Sequence, residues 1–390
     1  MNNVKNIPKL RFPNFVGTWQ EMKLSELVNN FGGTALEEFA GTTGRHKFIS
    51  IGNYSKDGVY LDNNQRILLN DKTRLKLLGK NDLVMVLNDK TSAGDLIGST
   101  ILIDQDDVYI YNQRSERLVP VSSVSAKYLW YFLNSSKFRR LIFSISQGGT
   151  QIYVNFPQVK KLNMFMPKKV EQQKIADFLT AVDDKITAID KKVELLKKYK
   201  KGVMKKIFTQ QIRFKNDDGD DYPRWGKKNL RDIVAIKTGK KDVNQGNPNG
   251  QYPFFTCARE HTYSDEYSFE GEAVMIAGNG EVGLCTYYNG KFEAYQRTYV
   301  LQDFGLSIDY VFLYLKDAFQ AFAESQKQQG SMPYIKLSTL RDFIVPIQDK
   351  GEQNKITELL TLIDGKIKAE EGKLAVAKKF KSALLQGMFV

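Results

Sequence analysis

The chain has 390 residues, of which 42% are hydrophobic and 12% aromatic, a composition that is typical of a folded protein and excludes a disordered one. Its 57 basic and 44 acidic side chains give a net charge of +13, which favours a polyanionic partner such as nucleic acid. Cys257, Cys285 and two histidines are too few for a disulfide framework or a multi-ligand zinc site, and we interpret both cysteines as core residues of strands. Neither a signal peptide nor a run of about 18 apolar residues is present, so we expect a cytoplasmic protein without a membrane partner.

The turn-rich segment at the start of the chain recurs after its midpoint. Residues 7–28 read IPKLRFPNFVGTWQEMKLSELV, and residues 212–234 read IRFKNDDGDDYPRWGKKNLRDIV. Arg11-Phe12 and Trp19 of the first segment therefore correspond to Arg213-Phe214 and Trp225 of the second. This correspondence predicts two globular domains that begin alike.

Both globular segments contain short apolar runs separated by Gly and Asn, which predict strands, and each then shows a helical pattern, near 127–145 and 308–325. The predicted strands are 82–87, 99–104, 272–277 and 298–304. A polar Gly-containing loop follows each helical pattern, at 146–156 and 327–337. The segment AGNGEVG at 277–283 has the wrong spacing for a nucleotide-binding turn, and we interpret it as a hairpin turn. Each segment is thus predicted to be a mixed α+β domain.

Each globular segment leads into a stretch with apolar residues every three or four positions, the heptad spacing of a helix that pairs with another helix. This stretch runs from 168 to 208 in the first copy. Its residues 171–208 recur at 352–389 with an offset of 181, and 15 of the 38 aligned positions are identical. These apolar residues would form a continuous stripe, or seam, along one side of each helix. One lysine interrupts the seam at the same position in each copy, Lys200 and Lys381. The predicted seam residues are Ile175, Leu179, Val182, Ile186, Ile189, Val193 and Leu196 in the first copy, and Ile356, Leu360, Ile363, Ile367, Leu374 and Leu384 in the second.

A Gln-Arg dipeptide precedes a predicted strand in each globular segment. Gln113-Arg114 and Gln296-Arg297 align at an offset of 183. Arginine pairs bidentately with guanine and glutamine with adenine, so these side chains could read DNA bases. The alternative is that each pair only packs and hydrogen-bonds loops within its own domain.

Signatures of catalysis are absent from the sequence. No Pro-Pro dipeptide occurs, which excludes the (Asp/Asn)-Pro-Pro-(Tyr/Phe) motif of amino-methyltransferases, and no Gly-Lys is followed by Ser or Thr as in a P-loop. The sequence has only two histidines, one in each half, and neither belongs to a convincing Ser/His/Asp set. We therefore predict a chain without a catalytic site.

The repeated openings are joined by a Pro-then-EQxKI entry into each long helix, at Pro167 and Pro346, and by the endings KKYKKGVMKKIF and KKFKSALLQGMF. Over essentially the whole chain this duplicated order resembles the specificity (S) subunit of type I restriction–modification enzymes. The resemblance implies two target recognition domains, at 1–166 and 211–347, and two conserved spacer helices, at 167–210 and 348–390. It also implies that the helices form an antiparallel coiled coil within an internal pseudo-two-fold repeat.

The resemblance further implies that each recognition domain reads one half of a bipartite double-stranded DNA target and that the helices set the spacing between the halves. Such a subunit is not catalytic. It assembles with two methyltransferase (M) subunits, which use S-adenosylmethionine for adenine-N6 methylation, and with translocase–nuclease (R) subunits, which use ATP and Mg. No cofactor is expected in this chain itself.

The family supplies no residue-level base code, so our candidate DNA-binding residues are loop cations near Gly and the two Gln-Arg pairs. They are Arg45, Lys47, Lys90, Gln113, Arg114, Lys240, Lys241, Arg259, Gln296, Arg297 and Lys327. The lysines of the long helices, such as Lys197, Lys198, Lys200 and Lys201, face DNA, an M subunit or solvent.

Two other functions are compatible with the sequence. A DNA-binding regulator or clamp without an enzymatic partner would also be basic and duplicated. A methylase-only system without a translocase would use the same kind of subunit.

Overall fold

The computed structural model describes residues 6–328 and 333–390. The chain divides into two compact units, the first formed by Met1–Lys191 with Glu371–Val390 and the second by Lys192–Glu370. Each unit therefore contains one globular domain together with one part of each long helix. The boundaries predicted above, which separate domains from helices, stay predictions.

In the first unit most strands belong to two sheets, with strand orders β2-β10-β6-β8 and β3-β5-β4-β9, while β1 pairs with β12 and β7 with β11. Pairing is antiparallel except between β4 and β9. The strands are β1 Gln20–Lys23, β2 Val28–Gly32, β3 Ala40–Gly41, β4 His46–Ile49, β5 Arg66–Ile67, β6 Leu83–Val86, β7 Asn88–Asp89, β8 Thr100–Leu102, β9 Tyr109–Tyr111, β10 Ser115–Pro120, β11 Ile152–Tyr153 and β12 Asn163–Met166. The strands predicted at 82–87 and 99–104 are confirmed as β6 and β8.

The helical pattern near 127–145 forms two helices rather than one, because Ser135 begins a new helix. The Ser135 side chain accepts a hydrogen bond from the Phe138 N–H, which satisfies a donor that the first turn of a helix leaves free. The helices up to the first long one are α1 Leu24–Leu27, α2 Asp71–Arg74, α3 Ala126–Leu133, α4 Ser136–Ser144, α5 Phe156–Val159 and α6 Lys169–Phe208.

In the second unit one sheet has the strand order β14-β19-β17-β18-β15-β16, and β13 pairs with β20. The strands are β13 Gly226–Asn229, β14 Ala235–Thr238, β15 Tyr252–Phe255, β16 Thr262–Ser264, β17 Phe269–Ala277, β18 Cys285–Ala294, β19 Thr298–Gln302 and β20 Ile344–Ile347. The turn predicted at 277–283 is confirmed, since β17 and β18 pair antiparallel on either side of it. Gly280 and Gly283 supply the positive φ angles of this turn, 62° and 79°.

The remaining helices are α7 Ile308–Tyr314, α8 Gln320–Gln326, α9 Leu337–Arg341 and the second long helix, α10 Lys350–Met388, and a π-helical turn joins α7 to α8. The helical pattern near 308–325 is thus confirmed. Within the part of the chain that the structure describes, no helix is both long and apolar enough to cross a membrane.

Each unit has its own core, in which one part of α6 packs against one part of α10. In the first unit, Ile175 and Leu179 of α6 share a core with Leu384 and Met388 at the end of α10. In the second unit, Val203 and Ile207 at the end of α6 share a core with Ile356 and Leu360 near the start of α10. The helices are therefore antiparallel within each unit, and every predicted seam residue is buried or half-buried.

A buried glutamate fastens the opening segment of each domain to the start of a long helix. In the first unit, Glu171 accepts hydrogen bonds from Arg11 Nε at 2.7 Å and from Trp19 Nε1 at 3.3 Å. In the second unit, Glu352 accepts from Arg213 Nη2 and from Trp225 Nε1, both at 2.8 Å. The Arg and Trp that recur in the two openings thus donate hydrogen bonds to a glutamate that recurs at the start of the two long helices.

Candidate nucleic-acid interface

In the first unit the Gln113-Arg114 turn brings two loops together. The Arg114 carbonyl accepts a hydrogen bond from Leu87 N–H at 2.9 Å, and the Leu87 carbonyl accepts one from Val154 N–H, also at 2.9 Å. The backbone of the turn therefore ties the loop after β6 to the loop around β11. The Gln113 side chain is exposed and that of Arg114 half-exposed, so both are accessible from solvent.

Asp89 organises the loop that follows β6. Its carboxylate accepts hydrogen bonds from Thr91 N–H at 2.9 Å and from Leu96 N–H at 2.6 Å. Burial would raise the pKa of Asp89, but these hydrogen bonds and the positive charge of Arg139 together lower it. The loop thus keeps a fixed shape, and it presents the exposed side chain of Lys90.

The second unit repeats this arrangement around Gln296-Arg297. The Arg297 carbonyl accepts from Gly278 N–H at 2.9 Å, and the Gly278 carbonyl accepts from Ile335 N–H at 2.9 Å. Gln296 N–H donates to the Lys241 carbonyl at 3.0 Å, which adds the loop after β14 to the group. The backbone of each turn thus holds loops within its own domain, while its side chains are exposed; the reading of DNA bases by these side chains stays a prediction.

The repeated polar loop after each short helix adds a small bridge next to the turn. Gln147 and Tyr153 exchange two backbone hydrogen bonds of 2.8 Å, and Gln328 and Tyr334 do so at 2.8 and 3.3 Å. Both residues of each bridge recur at the 181-residue offset that relates the long helices, so the repeat in the sequence already marks this pair. Of the loop predicted at 327–337, residues 329–332 lie outside the described residues.

In each unit, the backbone just after an edge strand, β2 or β14, passes close to the backbone just before the Gln-Arg turn. A Cβ on Gly33 would lie 1.8 Å from the Asn112 carbonyl oxygen, and one on Gly239 would lie 1.8 Å from that of Ala294. Only glycine fits at such a distance. This contact brings Lys240, which is exposed, to the same end of its domain as Arg297.

The structure does not bring every candidate cation to the turns. Arg45 and Lys47 lie at the start of β4, while the Gln113-Arg114 turn follows the far end of the parallel strand β9. Lys47 forms an ion pair with Asp62 at 3.3 Å and lies over the rings of Tyr60 and Tyr109. Lys47 is therefore part of a packed cluster at the other end of these strands.

Three other candidates are already paired with carboxylates. Lys241 lies 3.1 Å from Glu266 and 3.7 Å from Glu293, and the latter is completely buried. Arg259 pairs with Glu281 at 2.8 Å and Lys327 with Glu324 at 2.6 Å. Among the described residues, the candidates that form no ion pair are Arg45, Lys90, Arg114, Lys240 and Arg297.

The described residues contain no group of three or more His, Cys, Asp or Glu side chains that could hold a metal ion. Cys285 begins β18 as predicted, and burial raises the pKa of its thiol to about 12, so it is a poor nucleophile. Cys257 is also buried, but it lies in a bend two residues after β15 rather than in a strand. The arrangement as a whole can form hydrogen bonds and ion pairs at two repeated surfaces.

Comparison with known proteins supplies the family. The model of the "Type I restriction modification DNA specificity domain" matches residues 17–198 and 223–379. The EcoDI specificity subunit of Escherichia coli is 31% identical over 41% of this chain and 37% of that protein. The MjaIX specificity subunit of Methanocaldococcus jannaschii is 23% identical over 70% of each chain. The match to the EcoDI subunit thus spans little more than a third of that protein.

Solved structures show the same fold. A type I restriction–modification S subunit from M. genitalium matches with a TM-score of 0.62 at 18% identity, over 98% of this chain and 99% of that one. A chain from a study of complex assembly and conformational transition of the type I R-M system matches with a TM-score of 0.59 at 14% identity, over 94% and 96% of the two chains.

Proposed function

Because this chain belongs to the type I restriction modification DNA specificity family, we propose that it reads a bipartite DNA target, with one half-site for each unit. The observation that carries this proposal is the Gln-Arg turn, which occurs once in each domain with its side chains accessible from solvent. Arg114 and Arg297 have no carboxylate partner among the described residues, so their guanidinium groups are available to a base edge or a phosphate. The surrounding loops are held by backbone hydrogen bonds and can present these side chains in a fixed geometry.

The chemistry of each turn suits DNA. A guanidinium can donate two hydrogen bonds to guanine, and a glutamine side chain can both donate to and accept from adenine. Lys90 in the first unit and Lys240 in the second are exposed near the turns and would neutralise phosphates without reading sequence. Each unit thus has one candidate reading pair and one candidate phosphate contact.

The long helices would set the distance between the half-sites. Helix α6 has 40 residues and α10 has 39, which corresponds to rods of about 60 Å. Half-sites one helical turn of DNA apart are separated by about 34–36 Å, a distance that such rods can span. The gap in the target would therefore follow from the helices and the half-sites from the domains.

The catalytic steps would belong to partner subunits. Two M subunits would supply adenine-N6 methylation with S-adenosylmethionine, and R subunits would supply translocation and cleavage with ATP and Mg. The DNA target of such a complex would place it in the cytoplasm.

Exposed apolar side chains on the long helices support the docking of two M subunits. Leu195 and Tyr199 of α6 are 55% and 58% exposed, and Val376 and Phe380 of α10 are 68% and 53% exposed. The two pairs occupy equivalent positions, since the offset of the helix repeat carries Leu195 onto Val376 and Tyr199 onto Phe380. Large apolar side chains in water at a repeated position are typical of a repeated protein–protein interface. We call them the first and second apolar pairs.

The proposed function is tested by mapping methylated adenines in cells that express this chain with the M subunit of its own host. We expect a bipartite motif with one gap that depends on this chain. Arg114→Gln should relax one half of the motif and Arg297→Gln the other, each by about 1–3 kcal/mol of discrimination, because a glutamine cannot replace a bidentate contact to guanine.

Arg45→Gln is the matched control, since this exposed arginine lies away from the turn, and we expect an unchanged motif. A soluble complex that methylates nothing would instead support the DNA-clamp alternative. Loss of both half-sites from a single turn variant would contradict the assignment of one half-site to each unit.

A further inference from the structure

The lysine that interrupts each helix seam pairs with an aspartate of the other long helix. In the first unit, Lys381 Nζ of α10 lies 2.7 Å from Asp183 of α6. In the second unit, Lys200 Nζ of α6 lies 2.8 and 2.9 Å from the two carboxylate oxygens of Asp364 in α10. The interruption of each seam is therefore one half of an ion pair between the helices.

The two ion pairs specify a single antiparallel register. The spacing from Asp183 to Lys200 in α6 equals the spacing from Asp364 to Lys381 in α10. In antiparallel helices, a step forward along one helix corresponds to an equal step back along the other. The register that joins Asp183 to Lys381 is therefore the same register that joins Lys200 to Asp364.

A shift of one heptad keeps the apolar seam facing its partner, so apolar packing alone discriminates poorly between registers. The charges do discriminate. A shift in one direction would place the two lysines and two aspartates against four uncharged residues, namely Thr357, Ala176, Val193 and Leu374. A shift in the other direction would place both lysines against carboxylates, Glu371 and Asp190, but both aspartates against apolar residues, Ile207 and Met388. Only the observed register pairs all four charges.

Burial makes these alternatives costly. The first shift would leave the ammonium groups of Lys200 and Lys381 unpaired, although these side chains are only 15% and 23% exposed. Either shift would leave the carboxylates of Asp183 and Asp364 unpaired, and these side chains are 26% and 35% exposed. Removing one partner of a shielded ion pair is strongly destabilising, whereas replacing both partners with apolar residues is often neutral or stabilising. Such pairs therefore contribute more to the choice of one arrangement than to stability, and specifying register is the best-attested use of polar groups in a helix seam.

We propose that Asp183, Lys200, Asp364 and Lys381 are positioning residues that fix the axial register of α6 against α10, and through it the number of base pairs between the two half-sites. This inference rests on the proposed function, in which the helices set the gap. One heptad corresponds to about 10 Å along a helix, the length of about three base pairs.

The test compares three variants by mapping methylated adenines in the presence of the M subunit. The first replaces all four charges with leucine. The second reverses the charges in α6 alone, Asp183→Lys with Lys200→Asp, which sets like charges against each other. The third adds Asp364→Lys with Lys381→Asp, which reverses all four and restores attraction.

We expect the apolar variant to keep both half-sites but to methylate, in addition, targets whose gap differs by about three base pairs. These targets should make up about a tenth or more of the methylated sites, because a second register populated within about tenfold of the first would hold that share of the molecules. We expect the α6 reversal to lose the original gap and the full reversal to recover it. Lys198→Leu with Lys379→Leu is the matched control, because these two exposed lysines also occupy equivalent positions of the repeat and should leave the single gap unchanged.

A single unchanged gap in the apolar variant would overturn the proposal. If that variant does not fold, the reversals decide, and failure of the full reversal to recover the original gap would overturn it. The wild-type chain distinguishes failure of this proposal from failure of the proposed function, because a wild-type chain that directs no bipartite methylation would contradict the proposed function itself.

Discussion

The two units share the residues that join domain to helix and differ in most of the rest. Both have a buried glutamate held by Arg and Trp, and both have a lysine–aspartate pair between the helices. They differ next to that pair. In the first unit, Tyr131 donates a hydrogen bond to Asp183 at 2.8 Å, whereas Leu313 occupies the equivalent position of α7, counted from the serine cap of each helix. The shared contacts thus define the scaffold, and the first domain has an additional polar contact with it.

The domains also differ in charge. Residues 1–166 carry 21 basic and 14 acidic side chains, a net charge of +7, whereas residues 211–347 carry 16 and 18, a net charge of −2. Long-range attraction to phosphates depends on net charge, while base reading depends on a few placed side chains. For the proposed DNA target, the first domain therefore supplies more of the non-specific attraction, and the second must rely on individual cations such as Arg297.

The largest effect is expected where the units are alike. Glu171→Ala and Glu352→Ala should each lower the free energy of unfolding by about 3–5 kcal/mol, because each leaves a guanidinium and an indole N–H without their acceptor. Chemical denaturation of the whole chain measures both, and Glu194→Ala, at an exposed position of α6, is the control with a loss of less than about 0.5 kcal/mol. Clearly unequal losses of unfolding free energy from the two substitutions would show that Glu171 and Glu352 do not stabilise their units equally.

The apolar pairs test whether the units bind partners alike. Replacing the first apolar pair, Leu195 and Tyr199, with aspartate should remove one M subunit and leave the other, because a buried charge at an interface costs about 2–4 kcal/mol, the scale of a hot-spot residue. The second apolar pair should behave in the same way, and all four changes together should leave no M subunit bound. Native mass spectrometry counts the subunits, with Lys185→Asp as an exposed control on α6. A full complement of M subunits on the quadruple variant would exclude this surface.

The smallest effect is expected where the units differ. Tyr131→Phe should cost about 1.5 kcal/mol, the lower end for a hydrogen bond to a charged group, because Asp183 keeps Lys381 as a partner. Tyr128→Phe is the matched control in the same helix. The Tyr128 hydroxyl is buried and has no hydrogen-bond partner among the described residues, so its removal should cost nothing or stabilise the chain. Equal losses from the two tyrosines in thermal unfolding would argue against the Tyr131–Asp183 hydrogen bond.

Local patterns predicted much of the architecture. The seam of α6 and α10, the hairpin turn at 277–283 and the strands at 82–87 and 298–304 follow from periodicity and from glycine, which act over a few residues. The break between α3 and α4 was missed because the apolar pattern continues across it, while the cap of Ser135 competes with a continuous helix. Among the candidate cations, the sequence could not separate Arg297, which has no carboxylate partner among the described residues, from Lys241. The difference depends on Glu266 and Glu293, which lie far from Lys241 along the chain and meet it only in the fold.

The sequence by itself determined the duplication, the heptad seams and the repeated positions of Glu171, Asp183 and Lys200, because a repeat can be recognised without knowledge of its contacts. Only the tertiary structure decided what those positions do. It showed that the lysines of the seams meet aspartates of the opposite helix and that the glutamates bind the Arg and Trp of the openings. The reason is physical, since an ion pair needs two groups within a few ångströms, and residues more than a hundred positions apart reach that distance only when the chain folds.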